Sequence, residues 1–124
     1  MGDTARNWLD ELREVLTASS TNLEGDALWA VGLDQSRSVV FHKLLRSGHF
    51  DVAELDIPEI YDLPGKRHNH VLFVYHALNG SSPDPQTLKP FAQYVSTAAD
   101  LMKQPLKDVV FLGPTQEVSL LNGE

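Results

Sequence analysis

The chain contains no cysteine. That excludes disulfides and every thiolate-ligated metal site, and it accords with a reducing compartment. Cations are scarce: 10 Lys and Arg stand against 17 Asp and Glu, for a formal charge of −7. A net acidic surface repels phosphate backbones, so sequence-independent binding to nucleic acid is disfavoured. The densest basic cluster is only Lys66-Arg67-His68. Long apolar runs are also missing, so no membrane span is expected. The first residues, MGDTARNWLDELREVL, are polar and amphipathic and lack the apolar core of a signal peptide, which makes the cytoplasm the expected location. There is no internal repeat, low-complexity tract or long linker. What remains is ordinary: 124 residues, 42% hydrophobic and 22% charged, suited to one soluble domain. At this length folding buries roughly two thirds of the chain's surface, so no staple is required.

Periodicity predicts the elements. Trp8, Leu9, Leu12, Val15 and Leu16 share one helical face, with Asp3 or Thr4 as cap, so a first helix is expected over 4–17. The apolar segment 27–34 reads as a buried strand. Asp34-Gln35-Ser36-Arg37 is a turn, and 38–46 returns as the second strand of a hairpin, ended by Gly48. A short helix is expected within 56–63, with Pro58 in its first turn. Residues 70–76, HVLFVYH, are rich in β-branched and aromatic types and predict a strand. After the loop 79–86 a helix follows, with Thr87 as cap and Leu88, Phe91, Val95, Ala99 and Met102 buried. Pro90 is tolerated in its first turn because N–H groups there lack partners. Residues 108–113 and 117–121 close the chain as strands. The expected order is α-β-β-α-β-α-β-β, an α/β (α+β) mixed sheet with helices packed on it.

Histidines cluster around the central strand. His70 and His76 share a strand face, but six residues separate them by roughly 20 Å, too far for one ion whose ligands stand at about 2 Å. His68 and His70 form a His-x-His pair that would chelate. The plainer reading is a solvated loop-to-strand boundary beside Lys66 and Arg67. His76 differs, because it ends a buried strand and meets a Gly/Ser/Pro loop, where α/β folds place ligand sites. Its plainer role is a ring bonded to a loop carbonyl.

Three stretches together resemble a known family: LDQSRSVVFHKLLRSG (33–48), VLFVYHALNGSSPDPQTLK (71–89) and DVVFLGPTQEVSL (108–120). In order and spacing they are similar to the RadC branch of the JAB/MPN (JAMM metalloprotease-like) domains. There, a Leu-Asp strand and hairpin partner precede a strand running into His-x-His-Pro-Ser-Gly-Asp-Pro-x-Pro-Ser-x-x-Asp, and a hairpin closes the domain. Pro83 and Pro85 fall on the motif's later prolines. The likeness covers about residues 26–121 of a single domain (1–124), with the N-terminal helix (1–22) outside it, and implies a JAB/MPN-like, cytidine-deaminase-like fold.

The same resemblance implies a zinc site of two histidines and an aspartate, with a water activated by an upstream glutamate. Three protein ligands and an open position are what hydrolytic zinc chemistry requires. His76 keeps the first histidine. Leu78 replaces the second, Lys89 the aspartate and Gln86 the serine, while Asp26 stands for the glutamate. A rival alignment puts His76 on the second histidine and Val74 on the first, and it also leaves too few ligands. The motif therefore reads as a dismantled metal site, with Asp26, His76, Leu78, Gln86 and Lys89 vestigial and no catalytic residue, zinc or other cofactor expected. Lys89 is expected to fill the emptied site and pair with Asp26. The plainer alternative is a solvent-facing lysine.

Three functions follow as expectations. The first is an inactive module, a pseudoenzyme acting as a protein-interaction or dimerisation scaffold, with a protein partner or a second copy of itself; the first helix is a candidate for that contact. The second is a metal-dependent hydrolase, peptidase-like or isopeptidase-like, with ligands rebuilt from His76, His68, His70, His49 or His42 and Asp26 or Asp84, holding Zn²⁺. The third is the DNA-repair association of the RadC name, which the acidic charge opposes as direct contact. Asn79-Gly80 and Pro83-Asp84-Pro85 would form the rim of any residual pocket, or serve only as turns.

Overall fold

The computed structural model describes residues 4–21, 23, 25–48, 50–63, 70–77, 84–114 and 116–121, with side chains from residue 10 onward. Helix α1 spans Thr4–Ser19 and is followed by strands β1 (Asp26–Leu33) and β2 (Val39–Gly48). After a 3-10 turn at Val52–Glu54 come a short helix α2 (Ile57–Ile60) and strand β3 (His70–His76). A second 3-10 turn, Pro85–Leu88, leads directly into α3 (Lys89–Met102), and β4 (Leu106–Leu112) and β5 (Glu117–Ser119) follow.

The five strands form one mixed sheet in the order β2-β1-β3-β4-β5. All neighbours are antiparallel except β3 and β4, which run parallel. A parallel pair needs a long crossover, and α3 provides it. The central strands are apolar because helices cover both sheet faces: all eight residues of β1 are buried, and β3 is buried after His70. Alternation then sorts the side chains. Trp29, Val31, Leu72, Val74 and Leu112 pack with Leu12 and Leu16 of α1 on one face. Leu28, Ala30, Phe73 and Phe111 pack with Phe91 and Val95 of α3 on the other. The result is a small three-layered α+β domain.

Several expected details shift. Val15 is only half-buried, while Leu12 and Leu16 are fully enclosed. Thr87 does not cap α3. Asp84 caps the preceding 3-10 turn by accepting from the Gln86 N–H, and Leu88 stands at the head of α3 with no side-chain cap. Met102 is 43% exposed rather than buried, because α3 stops there. Lys103 turns into the left-handed region (φ 56°) and its N–H returns to the carbonyls of Ala99 and Asp100. The hairpin turn is stapled by Asp34, whose Oδ1 accepts from the N–H groups of Ser36 and Ser38 at 2.8 and 2.9 Å.

Candidate functional site

Asp26 opens β1 and His76 closes β3, so adjacent antiparallel strands bring the two best site candidates to one end of the sheet. Both are buried, at 7% and 3% exposure. The register separates them all the same. His76 lies opposite Ala27 and shares its face, the one covered by α1. Asp26 is one residue out of phase and shares the α3 face with Leu28 and Tyr75.

On that second face the Tyr75 hydroxyl donates to Asp26 Oδ2 at 2.8 Å. The ring is fixed by stacking on Phe111, with centroids 5.8 Å apart and planes 8° from parallel, and by a tilted contact with Phe50 at 5.6 Å. Burial pushes the Tyr75 phenol well above its usual range, and the hydrogen bond and charge of Asp26 add to that. The carboxylate is thus held by a neutral donor rather than by the lysine expected from the sequence. Among the described residues the ion pairs are Arg13–Glu117, Lys43–Asp62 and Arg46–Glu59, and none joins Lys89 to Asp26. Lys89 is half-buried at the first position of α3, and Gln86 is exposed in the turn before it. Leu78, His68, His49, Asn79, Gly80 and Pro83 lie outside the described residues.

His76 faces a different neighbour. Its pKa is lowered first by burial and then by the charge of Arg13, with the charge of Asp26 acting in the other direction. Arg13 reaches across from α1, donating to the Gly113 carbonyl at 2.7 Å and to Glu117 Oε2 at 3.0 Å. This clamp ties α1 to the β4–β5 connection and sets a guanidinium near the imidazole. His76 Nδ1 has no hydrogen-bond partner among the described residues, nor has Trp29 Nε1 on the same face.

The other histidines do not gather. His42 Nε2 lies 2.9 Å from Ser19 Oγ, and its ring sits 5.4 Å from that of Trp29. His70 is exposed at the far end of β3 from His76, and Asp84 is committed to its turn. Among the described residues no three His, Asp or Glu side chains stand close enough to hold one ion. Those that the family resemblance puts in a zinc centre do not fit one: the imidazole and the carboxylate point to opposite faces, and a guanidinium is near the imidazole.

The sequence reading missed Arg13 and Tyr75. Tyr75 had a signal, since alternation puts residue 75 opposite His76 in facing, and on the Asp26 face once the β1–β3 register is known. Arg13 had none, because its contact spans a hundred residues of sequence. Compared with known proteins, the chain matches no protein-family model and no curated protein sequence.

Proposed function

We propose that this chain is a binding module, a RadC-like JAB/MPN-like domain in which hydrolytic zinc chemistry has been lost and recognition of another protein, or of a second copy, remains. One observation carries the reading: Asp26 and His76 face opposite sides of the sheet, and Asp26 already accepts from the Tyr75 hydroxyl. A catalytic zinc ion needs three converging ligands and an open position. Here the candidate donors diverge, and Arg13 raises the electrostatic cost of a cation beside His76.

Further support comes from the composition. The −7 charge opposes contact with a phosphate backbone. Among the described residues no helix is long and apolar enough to cross a membrane, which is consistent with action in the cytoplasm.

The test is the metal content of protein purified without chelating resin, measured by plasma mass spectrometry. Zinc well below one ion per chain is expected, in wild type and in His76→Ala alike. Stoichiometric zinc that disappears in His76→Ala would overturn the reading and favour the rebuilt hydrolase.

A further inference from the structure

Away from the β1–β3 site, a groove of about 410 Å³ runs between the 3-10 turn after β2 and the start of α3. Asp51 and Val52 form one wall; Thr87, Pro90, Phe91 and Tyr94 form the other. Phe91 is 6% exposed and closes the base, while Tyr94 is 47% exposed at the lip. A large apolar side chain from elsewhere would fit between them, since ligand pockets of this kind start at about 300 Å³.

Acids stand beside both walls, with Lys89 half-buried in the segment between Thr87 and Pro90. Asp51, Glu54 and Asp84 are all exposed, and none is in an ion pair among the described residues. Glu54 follows the groove wall directly. Asp84 accepts the Thr87 hydroxyl on its carbonyl at 2.7 Å, which brings it to the opposite wall. Asp51 and Asp84 each use Oδ1 as a turn cap, to the N–H groups of Ala53 and Gln86. The other acids of this segment are already neutralised, Glu59 by Arg46 and Asp62 by Lys43. Acids free of ion pairs among the described residues therefore border the apolar groove.

We infer that this groove docks a peptide segment of a partner protein that carries one large aliphatic or aromatic anchor flanked by arginine or lysine. The anchor displaces water from Val52, Pro90 and Phe91, the flanking cations meet Asp51, Glu54 and Asp84, and the Tyr94 ring offers a face for a guanidinium. The cations of the exposed edge strand, Lys43 and Arg46, are already paired, so that edge does not supply the flanking charge. The inference rests on the binding-module reading and names the site and the partner's chemistry.

The probe is a fluorescein-labelled peptide of about nine residues, with leucines at its centre and arginines on both sides. Anisotropy at about 150 mM salt measures binding to the whole chain, and amide chemical shifts map the site. Saturable binding is expected, with shifts at Ala53, Thr87, Phe91 and Tyr94. Glutamate in place of the arginines, or serine in place of the leucines, should each weaken it by about tenfold or more. Tyr94→Ala and the pair Asp51→Asn/Glu54→Gln should do the same to the protein, with Asn keeping the turn cap. Equal binding of the control peptides, shifts centred on another surface, or no binding would overturn the proposal. Concentration-dependent shifts at the groove without peptide would assign it to a second copy and overturn it too. Zinc-free protein that ignores the peptide removes the groove and leaves the module reading in place, whereas zinc-loaded protein that binds it there does the reverse.

Discussion

The Tyr75 hydroxyl donates to the carboxylate of Asp26 across adjacent central strands, at 2.8 Å and in a buried setting. A buried carboxylate is tolerated only while its lone pairs have donors. Tyr75 supplies one from a rigid ring, so the pair belongs to the structural core of this end of the sheet.

Removing the phenol hydroxyl should therefore be costly even though the ring remains. Tyr75→Phe is expected to lower stability by about 1–3 kcal/mol, the cost of leaving a buried acceptor short of a partner. Urea denaturation measures it. In a double-mutant cycle Asp26→Asn should recover part of that loss, since an amide is easier to bury than a charge. Strict additivity would mean that the two side chains do not depend on one another.

The pH dependence has a definite sign at both ends. The His76 pKa is lowered by burial and then by Arg13, so the unfolded chain binds the proton more readily. The stability from this group is fully present above the ordinary histidine value of 6.5 and is lost as pH falls below it. His76→Leu should flatten the melting-temperature profile between about pH 5 and 7, with Arg13→Met reducing the slope. At the alkaline end, burial and then the charge of Asp100 push Tyr61 up to about 12 from 10.0. Stability linked to Tyr61, and likewise to Tyr75, is complete below pH 10 and declines above it. A profile that is flat on the acid side in wild type would contradict the buried, neutral imidazole.

Gly32 is required by the ring across the hairpin. A Cβ built there would collide with Phe41 Cε2. Gly32→Ala should displace Phe41 and cost about 1–3 kcal/mol as overpacking. The loss should shrink when Phe41 is also replaced by alanine, because the obstructing atoms lie at the end of a side chain. Thermal melts of the two single variants and the double variant decide it.

Arg37 adopts φ 69° in the β1–β2 turn. The left-handed region costs a residue with a Cβ about 1–2 kcal/mol, part of which glycine would return as lost chain entropy. Arg37→Gly should then stabilise the protein by about 0.5–1 kcal/mol. Differential scanning calorimetry would register this as a higher melting temperature. A lower one would mean that the arginine side chain makes a contact worth more than the strain.

Much of the fold was legible because its signals are local. The run HVLFVYH is a strand in any context that covers both its faces, and the structure has it at His70–His76. The apolar spacing of Phe91, Val95 and Ala99 marked the buried side of α3 correctly. Element ends were harder. Met102 fits the helical period but lies where the helix terminates, and periodicity carries no information about where a layer runs out. The Thr87 cap failed because a 3-10 turn capped by Asp84 intervenes before the helix.

The site was legible only as a set of positions. That positions 26 and 76 belong together came only from the family resemblance, and the antiparallel pairing of β1 with β3 is what brings them to one sheet end. The lack of cysteine also excluded thiolate ligands, and the lack of a long apolar run agrees with the described residues, where no helix is long and apolar enough to cross a membrane. The facing of the two side chains was decided by the pairing of Ala27 with His76, a one-residue matter of register that no single strand contains. The same holds for what surrounds them. Tyr75 and Arg13 arrive from a neighbouring strand and from a helix far along the chain, and the charges of Asp51 and Asp84 reach one groove only because two turns pack side by side. Residue types and spacing fixed the local elements through backbone sterics and apolar period. Which polar groups end as partners depends on distances between elements, and those exist only once the layers have closed.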